Sequence, residues 1–257
     1  MIKLSPCIEI IFTEVPFLER IDKVSEIGLP AFEFWKWGQK DIAEIRRRKQ
    51  KYSLEIGAFG VDPMPSMVDK GTVGSFVQAV SSSAKVAHEL ECRTMIATTG
   101  NELKGVPRKQ QHENIVACLR EAAATVEREK VILVLEPLNV LVDHMGYYLS
   151  SSSEGFDIVR EVGSENVKLL YDIYHQQVTE GNLISTITKN IDMIGHFHVA
   201  DVPGRHEPGT GEINYANVLK AVSDTGYEGY VGLEFHPTTK DSGQALKSII
   251  DIARATK

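Results

Sequence analysis

VILVLE (131–136), VKLLYD (167–172), IGHFHV (194–199) and GYVGLE (229–234) are four apolar runs that end on, or one residue past, a side chain able to bind a metal: Glu136, Asp172, His198 and Glu234. The steps between these four are 36, 26 and 36 residues, each close to one strand-plus-helix unit of a (β/α)8 barrel, ~31 residues in a ~250-residue fold. In such a barrel the strand ends that open onto the βα loops form the active-site face. The spacing therefore predicts three carboxylates and one imidazole at one barrel mouth.

Working outward from these runs, the same alternation of strand-like and helix-like stretches extends over the whole chain. CIEIIF (7–12) precedes PFLERIDKVSEIG (16–28), which has Pro at a helix start and Gly at its end. AFEFW (31–35) precedes DIAEIRRRKQKYS (41–53), LEIGAFGV (54–61) a helix around 74–90, and RTMIATTG (93–100) a helix from about 109 to 129. VILVLEPL (131–138) is followed, after an insertion, by a helix over 152–162. VKLLYDIYH (167–175) precedes NLISTITKNIDM (182–193), IGHFHVAD (194–201) precedes NYANVLKAVSDTG (214–226), and GYVGLEFHP (229–237) precedes SGQALKSIIDIARA (242–255). Eight strand–helix pairs with no Pro/Gly-rich linker predict a single-domain α/β protein over residues 1–257, a TIM barrel. A doubly wound open sheet would carry a phosphate-binding glycine fingerprint after the first strand. FTEVPF (12–17) stands there instead.

Composition excludes several classes. Hydrophobic residues make up 42% and charged residues 25% of the chain, ordinary globular values. A net charge of −7 opposes nucleic-acid binding, which needs a clustered basic face. The one basic run, Arg46 to Lys49, lies in a helical stretch with acids upstream and reads as a solvated helix face. Cys7, Cys92 and Cys118 are widely spaced and form no CxxC pair, so neither a disulfide framework nor a thiolate zinc site is suggested, and a reducing cytoplasm is expected. The start MIKLSPCIEIIF has no signal-peptide pattern, and no apolar run approaches the ~18 residues of a membrane span.

The four residues at the expected mouth imply a cation. Three carboxylates within a few ångströms of one another would repel, and a divalent ion removes that conflict. Three oxygen ligands and one imidazole suit Mn²⁺ or Mg²⁺, with Co²⁺ as a further candidate, whereas zinc leans toward more nitrogen or sulfur. His196 shares a strand face with His198 under the two-residue period. It reads as a side chain that packs or hydrogen-bonds one layer deeper, with a second nitrogen ligand as the alternative. A cation at an open barrel mouth favours proton removal next to a carbonyl. Glu136 and Glu234, three strands apart, would reach a small hydroxy-carbonyl or sugar substrate from different sides, one removing a proton and the other returning it. That is isomerase or epimerase chemistry.

The stretches FTEVPFLERI (12–21), ECRTMI (91–96), LEPLN (135–139), YDIYHQQVTEGNL (171–183), GHFHVADVPGRHEP (195–208), GEINY (211–215) and GYVGLEF (229–235) resemble the hydroxypyruvate isomerase family, part of the wider xylose-isomerase-like group of TIM barrels. The resemblance implies that Glu136 and Glu234 are both proton-transfer residues and metal ligands, that Asp172 and His198 complete the metal set, and that the protein is a homo-oligomer. Several hydroxypyruvate isomerases carry Gln in place of His198, and PDSPGE where this chain has PGTGE (208–212). His198 is similar instead to the ketose 3-epimerases. Those enzymes carry a sugar-binding Glu where this chain has Val142. The reaction expected by resemblance is hydroxypyruvate to tartronate semialdehyde or a related oxo-acid, with C3 epimerisation of a free ketose as the alternative.

His175 matches a substrate-contacting His of both families, and Arg205 could clamp a carboxylate or touch sugar hydroxyls. Phe12, Glu33, Trp35 and Trp37 are read either as a pocket wall that excludes water or as barrel packing. The loop 208–211, PGTG, is read either as a cover for substrate or as a static connection. Two other functions share this architecture. A zinc phosphodiesterase would need more His ligands and a basic surface, and a sugar sensor need not keep all four metal-type residues.

Overall fold

Seven of the eight expected strands form where their apolar runs stand, and all eight make one parallel sheet in the computed structural model, which describes residues 2–255. In chain order the elements are β1 (Lys3–Pro6), α1 (Phe17–Glu26), β2 (Ala31–Phe34), α2 (Ile42–Tyr52), β3 (Glu55–Gly60), α3 (Val73–Leu90), β4 (Thr94–Ala97), α4 (Arg108–Glu129) and β5 (Ile132–Leu135). They continue with α5 (Ser152–Val162), β6 (Val167–Asp172), α6 (Ile173–Thr179), α7 (Leu183–Asn190), β7 (Ile194–Val199), α8 (Tyr215–Asp224), β8 (Tyr230–Leu233) and α9 (Ser242–Ala255). The strand order β1-β8-β7-β6-β5-β4-β3-β2 is that of a barrel. It closes at one parallel bridge, Cys7 opposite Glu33, where the Ile8 N–H donates to the Glu33 carbonyl at 2.9 Å.

The near-continuous apolar character of the strands follows from burial on both faces. Outward-facing Phe32, Phe34 and Phe59 pack under the helices, with the Phe34 and Phe59 rings stacked at 5.6 Å. Inward-facing Ala58, Ile96, Val134 and Leu170, one from each of β3 to β6, form a separate aliphatic cluster. Two residues further along these strands come Gly60, Thr98, Glu136 and Asp172, one layer nearer the mouth. The other side of the barrel has polar residues at the lower level, Glu33 on β2 and His196 on β7. Cys7, Cys92 and Cys118 are free and buried. Among the described residues no helix is long and apolar enough to cross a membrane.

Two expectations need correction. The first strand is Lys3–Pro6, and most of CIEIIF is a buried turn in which Ile10 and Ile11 N–H groups donate to the Cys7 carbonyl. A short apolar run has the same pattern in a strand and in a buried turn, so periodicity alone could not separate them. The sixth strand stops at Asp172, and residues 173–175 begin α6 instead of extending the strand. Asp172 Oδ1 accepts from the His175 N–H at 3.0 Å, satisfying one of the free donors at the helix start.

The loop 208–211 is tethered from below. The buried Asp201 carboxylate accepts N–H groups of Val202, Gly209, Gly211 and Ile213 at 2.8 to 3.1 Å. Of the two readings of this loop, these bonds match the static connection.

Candidate metal and active site

Glu136, Asp172, His198 and Glu234 come together at the C-terminal ends of β5 to β8, each buried, with one ligand atom apiece within 4.8 Å of all the others. Strand register places them. The Glu136 N–H donates to the Ala97 carbonyl at 3.0 Å and the Glu234 N–H to the Val199 carbonyl at 3.1 Å, so each Glu continues its ladder one step past the assigned strand. His198 sits opposite Asp172 on one side and Gly232 on the other. Its Nδ1 lies 3.1 Å from Glu136, 3.5 Å from Glu234 and 3.9 Å from Asp172.

Glu136, His198 and Glu234 open onto a cavity of about 440 Å³. Trp35, Val61, Met64, Ile96 and Leu138 form its apolar wall, and Glu136, His198, Arg205 and Glu234 lie along the polar side. Both sequence-selected glutamates therefore face the same space. Trp35, held equally as wall or packing from the sequence, is on that wall. Its indole Nε1–H donates to Glu234 Oε1 at 2.7 Å. Arg205 donates to Glu234 Oε2, leaving its own Nε buried and without a partner. Its guanidinium also lies 5.5 Å from the Tyr174 ring centroid. Lys36 lines the cavity too, and among the described residues its ammonium has no ion pair or hydrogen bond.

His175 stands on the first turn of α6, fully buried. Its Nδ1 accepts from the Asn139 side-chain amide at 2.7 Å and the Asn139 backbone N–H at 3.2 Å. Two donors on Nδ1 assign the ring proton to Nε2, which is buried, unpartnered and 3.7 Å from Asp172 Oδ2. Asn139 is itself held by Asp143, whose Oδ2 accepts from both Asn139 at 2.7 Å and the Tyr174 hydroxyl at 2.8 Å. Burial, reinforced by the charge of Arg205, lowers the His175 pKa to about 3. The ring is a neutral hydrogen-bond donor at any working pH. Asn139 and Asp143 were missed in the sequence; the Asn139 signal was its place in LEPLN, three residues past Glu136.

Electrostatics separate the carboxylates. Burial and the neighbouring Glu234 push Asp172 above its ordinary value, outweighing Arg205 and His198. For Glu234, burial acts the same way, but His198, Arg205 and the Trp35 N–H overcome it and hold the carboxyl well below the usual range. Burial opposes charging of His198, yet Glu234 and Glu33 carry it well above an ordinary histidine. Without a metal, the imidazolium and Arg205 together offset three buried carboxylates. The set fits a divalent cation: such an ion replaces the imidazole proton and supplies the positive charge the carboxylates lack.

His196 is not in this group. Its Nε2 contacts Glu33 Oε2 at 2.9 Å, so it hydrogen-bonds one layer deeper, as expected, and Glu33 lies beneath the site instead of on the wall. Trp37 donates to Ser83 at 2.9 Å and packs against the core, away from the cavity lining.

Known proteins share this arrangement of the whole chain. The family model described as xylose isomerase-like TIM barrel matches residues 21–252. The chain is 32% identical over 256 residues to the hydroxypyruvate isomerase of Escherichia coli (strain K12), covering 95% of this chain and 97% of that protein. It is 28% identical over 237 residues to a 2-oxo-tetronate isomerase of Cupriavidus necator, covering 90% and 91%. Among solved structures, one titled AP endonuclease, family 2, from Brucella melitensis superposes with a TM-score of 0.92 at 29% identity, over 98% of this chain and 99% of that one.

Proposed function

The chain belongs to the xylose isomerase-like TIM barrel family and, within it, to the hydroxypyruvate isomerase family, and from that premise we propose that it interconverts a small α-hydroxy ketone and its α-hydroxy aldehyde by proton transfer through an enediolate. It is an isomerase. The observation that carries the reading is the pair of carboxylates, Glu136 and Glu234, on one cavity wall within reach of the same His198 nitrogen. Glu136, Asp172, His198 and Glu234 would hold one Mn²⁺ or Mg²⁺, with Co²⁺ as a substitute. When bound, that ion would polarise the substrate's carbonyl and make the neighbouring hydroxyl-bearing carbon more acidic.

The protein's own groups account for the proton movements. One of Glu136 and Glu234 takes a proton from the hydroxymethyl carbon, leaving the enediolate, and the other delivers a proton to the former carbonyl carbon. The hydroxyl proton passes between the two oxygens, so a ketone with a terminal alcohol becomes an aldehyde with an internal alcohol. His175 Nε2–H would donate to the oxygen that gains charge, and the donor form of the ring is supported by the Asn139 bonds to Nδ1. Arg205 fixes Glu234 and keeps it ionised, and its Nε–H remains for a substrate oxygen. The apolar wall of Trp35, Val61, Met64 and Ile96 limits water at the enediolate.

Substrate class follows from charge. Among the described residues Lys36 is the lining cation that is not already paired, and an ammonium beside an apolar cavity favours a substrate carboxylate. Hydroxypyruvate or a four-carbon oxo-acid meets that requirement. The likeness to a family 2 AP endonuclease does not extend to a nucleic-acid reading, because a net charge of −7 and a cluster with one imidazole lack the basic face and His-rich ligand set such an enzyme needs. We retain the expectations of a homo-oligomer and a cytoplasmic location as part of this proposal.

The test is a metal-supplemented assay of hydroxypyruvate, 2-oxo-tetronates and free ketoses in D₂O, read by product NMR. Turnover of an oxo-acid with solvent deuterium at the carbon that gains hydrogen is expected. Isomerisation without solvent deuterium would show a hydride shift, and C3 epimerisation of a free ketose would move the assignment to the epimerases that His198 resembles.

A further inference from the structure

Glu33 is a fully buried carboxylate that the proposed chemistry does not use. It lies on β2, below the mouth, where its Oε2 accepts from His196 Nε2 at 2.9 Å. Its Oε1 points at His198 Nε2 across 3.6 Å, and among the described residues these two buried atoms have no other partner. That separation is about half an ångström beyond a hydrogen bond. Gly232 keeps the gap clear: a β-carbon there would sit 2.0 Å from Glu33 Oε1 and 2.5 Å from His198 Cδ2. His198 thus stands between two acidic groups, with Nδ1 facing Glu136, Asp172 and Glu234 and Nε2 facing Glu33.

We infer that Glu33 is a positioning residue that accepts the His198 Nε2–H and thereby leaves the Nδ1 lone pair free for the cation. An imidazole nitrogen can bind a metal only if it carries no proton, and the partner of the opposite nitrogen decides which one does. Position 33 must accept from two histidines at once, one at each oxygen. A carboxylate can do this. An isosteric glutamine cannot, since its amide nitrogen would donate toward one imidazole and favour the wrong tautomer there. The sequence separation of 163 from Glu33 to His196 is bridged by barrel closure, which brings β2 across the interior from β7.

This inference rests on the upper four groups binding the cation, so its test reads the metal alone. Mn²⁺ is titrated calorimetrically into the metal-free full-length protein, comparing wild type with Glu33→Gln, His198→Asn and the double variant. We expect one ion per wild-type chain, an affinity about 10- to 100-fold weaker in Glu33→Gln, and no further loss when Glu33→Gln is added to His198→Asn. A Glu33→Gln protein that binds Mn²⁺ as tightly as wild type, or additive losses in the double variant, would overturn it. So would two ions per chain, which would make Glu33 and His196 ligands. If wild type takes up no Mn²⁺, the reading of the upper site fails as well. Should Glu33→Gln not fold, ¹⁵N-histidine spectra of the Mg²⁺-loaded wild type decide the matter. His198 protonated at Nε2 supports the inference, and a proton on Nδ1 overturns it.

Discussion

The two sides of the barrel mouth are built differently. Strands β5 to β8 end in Glu136, Asp172, His198 and Glu234, all buried and all within reach of one another. Strands β2 to β4 end in Trp35, Gly60, Val61, Ile96 and Thr98, which enclose space and carry almost no charge, with Lys36 at the rim. One side concentrates buried charge, which is costly unless paired or bound to an ion; the other supplies low-dielectric wall, which strengthens every interaction opposite it. The mouth thus divides its labour: the charged side should govern turnover and the apolar side recognition and exclusion of water.

The sharpest test is on the charged side. Glu136→Gln and Glu234→Gln should each lower kcat by about 10²- to 10⁴-fold, while circular dichroism shows an intact fold. If either variant turned over at a near-native rate, proton transfer would have to be assigned to other groups. On the opposite side, Lys36→Met should raise KM for an oxo-acid by about 10- to 100-fold, the range of a charged hydrogen bond, and leave KM for an uncharged ketose unchanged. Equal effects on both substrates would remove Lys36 from substrate selection.

Trp35 joins the two sides, because its ring belongs to the wall and its N–H to Glu234. Trp35→Phe keeps the ring and should cost about tenfold in kcat/KM. The N–H helps hold Glu234 low, so its loss raises that carboxyl and should move the acid limb of the pH–rate profile to higher pH. An unmoved limb would separate the wall from the chemistry. The smallest effect expected is on stability. His198 is raised in the folded state, so its contribution is complete below the ordinary histidine value of about 6.5 and is lost as pH climbs through the raised one. The Tm of EDTA-treated protein should fall over that range, and saturating Mn²⁺ should abolish the fall, since the ion requires the deprotonated ring. His198→Asn should flatten the profile, and a slope unchanged in that variant would assign the effect elsewhere.

Much of this was legible without coordinates. Eight apolar runs at barrel spacing gave the architecture, and the polar residue closing each of the last four runs gave the cluster, because a strand end in this fold points at a known face. The two misread segments failed for local reasons. Cys7–Phe12, apolar apart from Glu9, has the same pattern in a strand and in a buried turn, and Asp172 acts at once as strand end and helix cap, so YDIYH read as one strand when its second half was already helical.

The linear chain decided the barrel and the identity of the four inward groups, since hydrophobic periodicity and strand spacing are properties of neighbours in sequence. Three-dimensional closure alone decided that Trp35 and Arg205 both reach Glu234, that Asn139 fixes the His175 ring, and that Glu33 lies under His198. Those pairs span 29 to 199 residues, at separations set by register and loop path rather than by any repeating pattern. A side chain's partner across a barrel leaves no periodic trace, so only the fold could show which groups hold the others in place.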